Sequence, residues 1–219
     1  MKNKHLFLTL YAFIYIPWFC YLEKTVTTDF HPIHMILDDY IPFCEYFVIP
    51  YYLWFAYIAI GIVFIALTDG KNCMKMGIIL ITGMTVFLFL STVYPNGQYL
   101  RPETFAHDNI FVHMVQKLYA TDTPTNLFPS IHVYNSLAIY FGIIHNRFSK
   151  DKKSVKIVCL ILTISIILST MFIKQHSAFD VLTAFALAAF MYSLVYGTLA
   201  ERIAKRRAEK ALGKQVHEI

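Results

Sequence analysis

Charge is scarce in this chain. Only 15% of its 219 residues are Asp, Glu, Lys or Arg against 57% hydrophobic, and the mean hydropathy is +0.52, which excludes an ordinary soluble domain and points to a polytopic membrane protein. The four cysteines, Cys20, Cys44, Cys73 and Cys159, have no metal-ligand spacing. Only Cys20 and Cys44 fall where they could meet near one membrane face, so a disulfide framework is not expected. HExxH and comparable paired-ligand helices are missing, as are internal repeats and low-complexity linkers, and residues 1–219 read as one domain. The apolar segment 5–22 lacks the small residues of a signal cleavage site, and Cys20 follows Pro17, Trp18 and Phe19 instead of the small residues of a lipoprotein signal. It therefore reads as a first membrane span. The net charge of +5 comes from short basic segments between apolar runs and from the tail, so it concerns orientation in a membrane and gives no support to a nucleic-acid partner.

What is present is a series of apolar runs. After 5–22 they fall at about 47–68, 75–94, 130–146, 155–173 and 177–199, each long enough at about 1.5 Å per residue to cross or nearly cross a hydrocarbon core. The fold class is all-α, a six-transmembrane-helix bundle. Of the nineteen Lys and Arg residues, fifteen lie in the start, the 69–75 turn, the 147–156 loop and the tail, and the other side has Lys24, Arg101, Lys117 and Lys174. This asymmetry predicts cytoplasmic termini, a basic cytoplasmic tail at 201–219, and an extracytoplasmic 95–129 loop between the third and fourth spans, with the plasma membrane as location. Residues 23–46 read as an ordered loop over the bundle. A short interfacial helix is expected near 107–119, with Ile110, Val112, Met114, Val115 and Leu118 available for its apolar side.

Two polar stretches on the predicted outer side can carry chemistry. In KQHSAFD, His176 and Asp180 are four apart and share a helix face, so the carboxylate can fix the ring tautomer and make the histidine a nucleophile or base. The bland alternative is a pair that merely satisfies itself at a membrane boundary, but a carboxylate a turn inside an apolar span is costly and usually paired or functional, which shifts the balance. In TNLFPSIH, Pro129 and Ser130 make a good helix start before His132. Spans four and six both run inward and should present free N–H groups to the outer side, which together form an anion site. Arg101 is the outer side's arginine and suits a phosphate through paired donors, with a solvated loop charge as the alternative. Lys117 and Lys174 are weaker candidates. A divalent-metal site from His132, His176 and Asp180 is the competing chemical reading. His107 and His113 read as loop or interface residues, and His5, His31, His34, His145 and His217 have no partner in the sequence.

These residues resemble the type-2 phosphatidic acid phosphatase superfamily, which also includes vanadium haloperoxidases. The likeness rests on Arg101-Pro102, the Pro-Ser-x-His at 129–132, and Ser169 followed by His176 and Asp180, over about 94–180 together with the six-helix topology. The resemblance implies that His176 attacks phosphorus and becomes a phosphohistidine, that Asp180 orients it, and that His132 protonates the leaving oxygen. It further implies that Arg101 and Ser130 hold phosphate oxygens, that the substrate is a lipid phosphate, and that no metal or organic cofactor takes part. The chain departs from the phosphatase pattern at Tyr94, where a lysine is usual, at Ile131, where glycine is usual, and at Thr170, where arginine is usual. FPSIHVYNS and KQHSAFDVLTA are more similar to the branch of inositol-phosphorylceramide and sphingomyelin synthases, in which a lipid alcohol can replace water. Expected functions are thus a lipid phosphatase or phosphotransferase, a phospho-alcohol headgroup transferase, or a non-catalytic scaffold or transporter that retains the fold.

Overall fold

The computed structural model describes residues 6–197 and Glu201, which form a mostly helical protein. Eight helices occur among them: α1 (Leu6–Thr25), α2 (Ile36–Tyr40), α3 (Val48–Thr68), α4 (Gly70–Val93), α5 (Ile110–Thr121), α6 (Ile131–His145), α7 (Lys153–Phe172) and α8 (Ala178–Val195). The predicted basic start and, apart from Glu201, the tail lie outside the described residues. Four helices are long and apolar enough to cross a membrane: α3 with the short turn at Glu45–Phe47 that leads into it, α4, α7 and α8. Large apolar side chains stay exposed on their outer faces, among them Phe55 and Leu67 on α3, Phe89 on α4, Val158 and Ile161 on α7, and Leu182 and Phe190 on α8. Exposure of this kind suits lipid rather than water.

Helix α6 differs from these. Its 15 residues reach only about 22 Å, and it is enclosed by α3, α4, α7 and α8 rather than by an outer surface. Val133, Tyr134, Ala138 and Ile139 on α6 join Ile65, Met76, Ile79, Ile166 and Ala184 from the surrounding helices in the main core. Small residues let the backbones approach. A Cβ on Gly83 would stand 1.9 Å from the ring of Tyr134, and one on Gly61 would stand 2.5 Å from Ile139. In a bundle that gains little from hydrophobic exclusion, such close packing supplies much of the helix–helix attraction.

Local chemistry explains where helix ends depart from the apolar runs. α4 starts at Gly70, ahead of its run, because the Asp69 side chain accepts from Asn72 N at 3.1 Å and caps it. α5 starts at Ile110 because Asn109 Oδ1 accepts from both Phe111 N and Val112 N. Its buried face is Val112, Val115 and Leu118, the last two packed with Val48, Tyr51 and Ile173, whereas Ile110, expected on that face, is exposed. All four cysteines are free, so Cys20 and Cys44 do not meet.

The connections collect at the two ends of the bundle. At one end, β1 (His31–Pro32) pairs in parallel with β2 (Asn96–Gly97), Gly97 bridges to Thr125, Cys44 N donates to Phe172 O, and Gln98 Nε2 donates to Lys174 O. At the other, Asn146 and Arg147 bond Thr68, and the Tyr196 hydroxyl donates to Asn72. Both histidine-bearing stretches lie at the first end.

The Tyr134 ring cannot easily yield to a neighbour, because its hydroxyl donates to Ile79 O at 2.8 Å. Gly83→Ala is therefore predicted to overpack α4 against α6 and to cost about 1–3 kcal/mol, read as a lowered midpoint of thermal unfolding in detergent.

Candidate active site

The turn between α7 and α8 sets the position of His176. Lys174 takes a left-handed backbone conformation with φ 53°, and the N–H groups of Gln175 and His176 both donate to Thr170 O, at 2.9 and 3.0 Å. This folds the chain back so that His176 is 5% exposed just ahead of α8. Ser177 caps α8. Its Oγ accepts from Phe179 N, while the Asp180 carboxylate accepts from Ser177 N at 3.0 Å, completing a capping box.

Asp180 is fully buried, with Oδ2 3.4 Å from His176 Nδ1. Both His176 Nδ1 and Asp180 Oδ1 are buried without a hydrogen-bond partner. Both atoms belong to one pair, the ring and the carboxylate lying side by side. Catalytic hydrogen bonds are often loose before substrate binds. On its other side, His176 Nε2 meets His132 Nδ1 at 3.3 Å. The His132 ring is held by Tyr51 and Trp54, whose ring centres lie 4.7 and 4.3 Å from its own. The two imidazoles and the carboxylate of the sequence reading are thus brought together.

α6 reaches this point through a scaffolded loop. Asn96 Oδ1 accepts from Leu127 N and Phe128 N, Asn96 O accepts from Asn126 N, and the Phe128–Pro129 peptide is cis. Ser130 caps α6, its Oγ accepting from Val133 N and its N–H donating to Asp180 O at 3.3 Å. Among the described residues no acceptor meets the N–H of Ile131 or His132, so the positive end of this helix is open.

The positive end of α8 is not. Asp38, from α2 in the loop over the bundle, is 3% exposed and accepts from Ala178 N at 2.7 Å and from Ser177 Oγ at 2.5 Å. The expectation of two free helix ends side by side is corrected accordingly: a carboxylate of the chain itself fills one of them. Met35 N also donates to Asp38. Spacing gave no signal for this residue, because its partners lie about 140 positions away.

Two of the three remaining candidate cations are engaged with protein. The Arg101 guanidinium donates to Tyr119 O, Asp122 O and Gln175 Oε1 and lies over the Tyr119 ring. Partial burial lowers its pKa, opposed by the nearby Asp122 carboxylate. Lys174 Nζ donates to Asp38 O and Ile41 O, and Lys117 is exposed on α5. Tyr94 stacks on His31, and Thr170 Oγ1 donates to Ile167 O, so neither restores a cation. Among the described residues no three His, Cys, Asp or Glu side chains are arranged to hold a metal ion.

A polar cavity of about 30 Å³ adjoins the histidines, lined by His132, His176, Gln175, Asp122, Glu23 and Asn126, with Phe19 and Phe87 on its apolar side. Arg101 and Ser130 do not line it. Asp122 and Glu23 stand in neither of the two polar stretches, whereas Gln175 lies in KQHSAFD and Asn126 in TNLFPSIH, where the sequence gives them no role. Their place in those stretches is the signal for these two.

Removing the Asp38 carboxylate strands the donors at the start of α8. Asp38→Ala is predicted to cost about 1–3 kcal/mol in detergent unfolding, and Asp38→Asn less, since it keeps one acceptor.

No curated protein and no solved structure matches the chain. The family model described as the PAP2 superfamily matches residues 72–204, a span that contains Arg101, Ser130, His132, His176 and Asp180. With more than half of its length matched and these side chains gathered at one end of the bundle, the chain belongs to the PAP2 superfamily.

Proposed function

We propose that this protein is a membrane-embedded lipid phosphate phosphatase or phosphotransferase that works through a phosphohistidine at the extracytoplasmic face. The observation that carries the reading is the 3.3 Å approach of His176 Nε2 to His132 Nδ1 beside the open end of α6. In the proposed cycle His176 Nε2 attacks phosphorus with Asp180 behind its other nitrogen, and His132 hands its proton to the leaving oxygen. The free N–H groups of Ile131 and His132 take phosphate oxygens. The imidazoles must part from their present contact to admit the phosphoryl group. Ser130 then acts through the cap of α6, and Arg101 acts by way of Gln175 and the Asp122 carbonyl.

The lipid part of the reading is supported by Phe19 and Phe87, which bring apolar surface from α1 and α4 to the cavity. The six-span arrangement adds α1 and α6 to the four long helices. The outward location of the site rests on the positive charge in the 69–75 and 147–156 segments at the opposite end. Phosphatase or phosphotransferase action on phosphate esters follows from membership of the superfamily, whereas the lipid substrate and the phosphoenzyme are this proposal's own.

Purified protein in detergent is predicted to release phosphate from phosphatidic acid or an isoprenyl phosphate, with inhibition by vanadate. His176→Ala should lower turnover by at least about 10³-fold and His132→Ala by about 10²–10⁴-fold. Undiminished turnover in His176→Ala would remove the nucleophile, and silence of the native protein across a panel of lipid phosphates and phospho-alcohol lipids would favour a scaffold. Orientation is tested separately. With the four native cysteines, all free, replaced by alanine, a cysteine introduced at Glu103 should react with a membrane-impermeant thiol reagent added outside intact cells, and labelling only after lysis would reverse the topology.

A further inference from the structure

We infer that Asp122 is the general base of the second half-reaction, taking the proton of an O–H acceptor seated in the cavity beside the two histidines. This rests on the reading of His176 as nucleophile and goes beyond it, since none of the family's motif positions contains Asp122. The cavity of about 30 Å³ exceeds the roughly 10–15 Å³ that one water needs. It has room for a hydroxyl, from water or from the end of an alcohol. Such an occupant needs two to four polar partners, and Asn126 Oδ1, on a residue that lines the cavity and is 4% exposed, is buried with no partner.

Asp122 is held for this role. Gln175 Nε2 and the Tyr51 hydroxyl both donate to its Oδ2, at 2.9 and 3.1 Å, so neither occupies Oδ1. Arg101 fixes its backbone carbonyl at 2.8 Å. Gln175 is the residue before His176 and is itself 2% exposed, so the orientation of the carboxylate is tied to the position of the nucleophile. Burial raises the Asp122 pKa from the ordinary carboxylate range and Arg101 opposes the rise, which makes its carboxylate a better base than that of a solvated aspartate. His132 is constrained differently. Its ring is fixed by Tyr51 and Trp54 with Nδ1 toward His176, the position of a donor to the first leaving group.

In the step itself the acceptor oxygen forms a bond to phosphorus while the bond from phosphorus to His176 Nε2 breaks, the electron pair returning to the ring. The acceptor proton passes to Asp122. With water the product is inorganic phosphate, and with an alcohol it is a new phosphate ester.

Rapid-quench turnover of ³²P-labelled phosphatidic acid by the full-length protein separates the two halves. In Asp122→Asn, which keeps an acceptor for Gln175 and Tyr51, the burst of diacylglycerol should stay within about threefold of native. Steady-state phosphate release should fall by about 10²–10⁴-fold, and acid-labile, alkali-stable phosphoprotein should accumulate. Adding hydroxylamine should discharge that phosphoprotein, whereas loss of burst and steady state together would mark Asp122 as structural and overturn the inference. So would a steady state within a few-fold of native, because His132 would then serve both steps. If Asp122→Asn fails to fold, Asp122→Glu, which moves the base without removing it, must slow discharge more than the burst. Methanol in the assay separates the acceptors: methyl phosphate would mark an alcohol site, and inorganic phosphate alone a water site. Absence of any burst or phosphoprotein in the native protein would sink the phosphohistidine reading, and this inference with it.

Discussion

Asp180 is the residue on which the histidine end of the bundle depends. A fully buried carboxylate at the mouth of an apolar bundle is tolerated only where donors meet it. Its side chain accepts from Ser177 N and stands beside His176 Nδ1, and its carbonyl accepts from Ser130 N. One residue therefore closes the cap of α8, sits behind the proposed nucleophile and ties down the cap residue of α6. The two imidazoles come from stretches far apart in the chain, yet the Asp180 carboxylate stands beside one and its carbonyl bonds the cap residue of the helix that carries the other. Asp38 reinforces the arrangement from above, joining the loop over the bundle to the same first turn of α8. Lys174 closes that loop's contact through two carbonyls.

Much of this was legible in the sequence for a physical reason. The apolar runs mark α3, α4, α7 and α8 because a helix that faces lipid needs an unbroken stretch of such residues, and the i, i+4 spacing of His176 and Asp180 is local. α6 was also recognisable, although it is enclosed by protein and so can be shorter than the others. What the sequence could not show are contacts made between distant side chains. Asp38 reads as an ordinary polar residue of HMILDDY until its partners Ser177 and Ala178 are known. Nothing in the sequence marks Asp122 and Asn126 as cavity residues, because a polar loop that folds inward to line a cavity has the same composition as one that faces water. Lys174, two residues from the histidine, looked able to reach a bound anion. Its left-handed backbone directs the ammonium to Asp38 O and Ile41 O instead.

The substitutions at Tyr94 and Thr170 change the electrostatics of the end where the histidines meet. A phosphate surrounded by lysine and arginine is held by formal charges. Here Arg101 is committed to Tyr119, Asp122 and Gln175, so the groups left to meet an anion are the open N–H groups of α6 and whichever imidazole carries a proton. Fixed backbone dipoles act over a shorter range than a side-chain cation, within about the first turn of the helix. They also need no reorganisation as charge shifts during reaction. A site built in this way binds its anion less firmly from a distance and orients it more strictly on contact.

The two carboxylates across the cavity sharpen that point. Glu23 accepts from Thr123 Oγ1 and Asn126 Nδ2, and Asp122 accepts from Tyr51 and Gln175, so both are positioned by donors rather than loose. For a site whose task was only to retain phosphate, two acids beside it would be a defect, since like charges so placed weaken binding. For a site that must take a proton from an acceptor and then let its product go, the same repulsion favours departure over retention. Two acids beside a site that lacks cations at Tyr94 and Thr170 are thus coherent with turnover, and it is the arrangement of donors around Asp122 and Glu23, not their number, that makes it so.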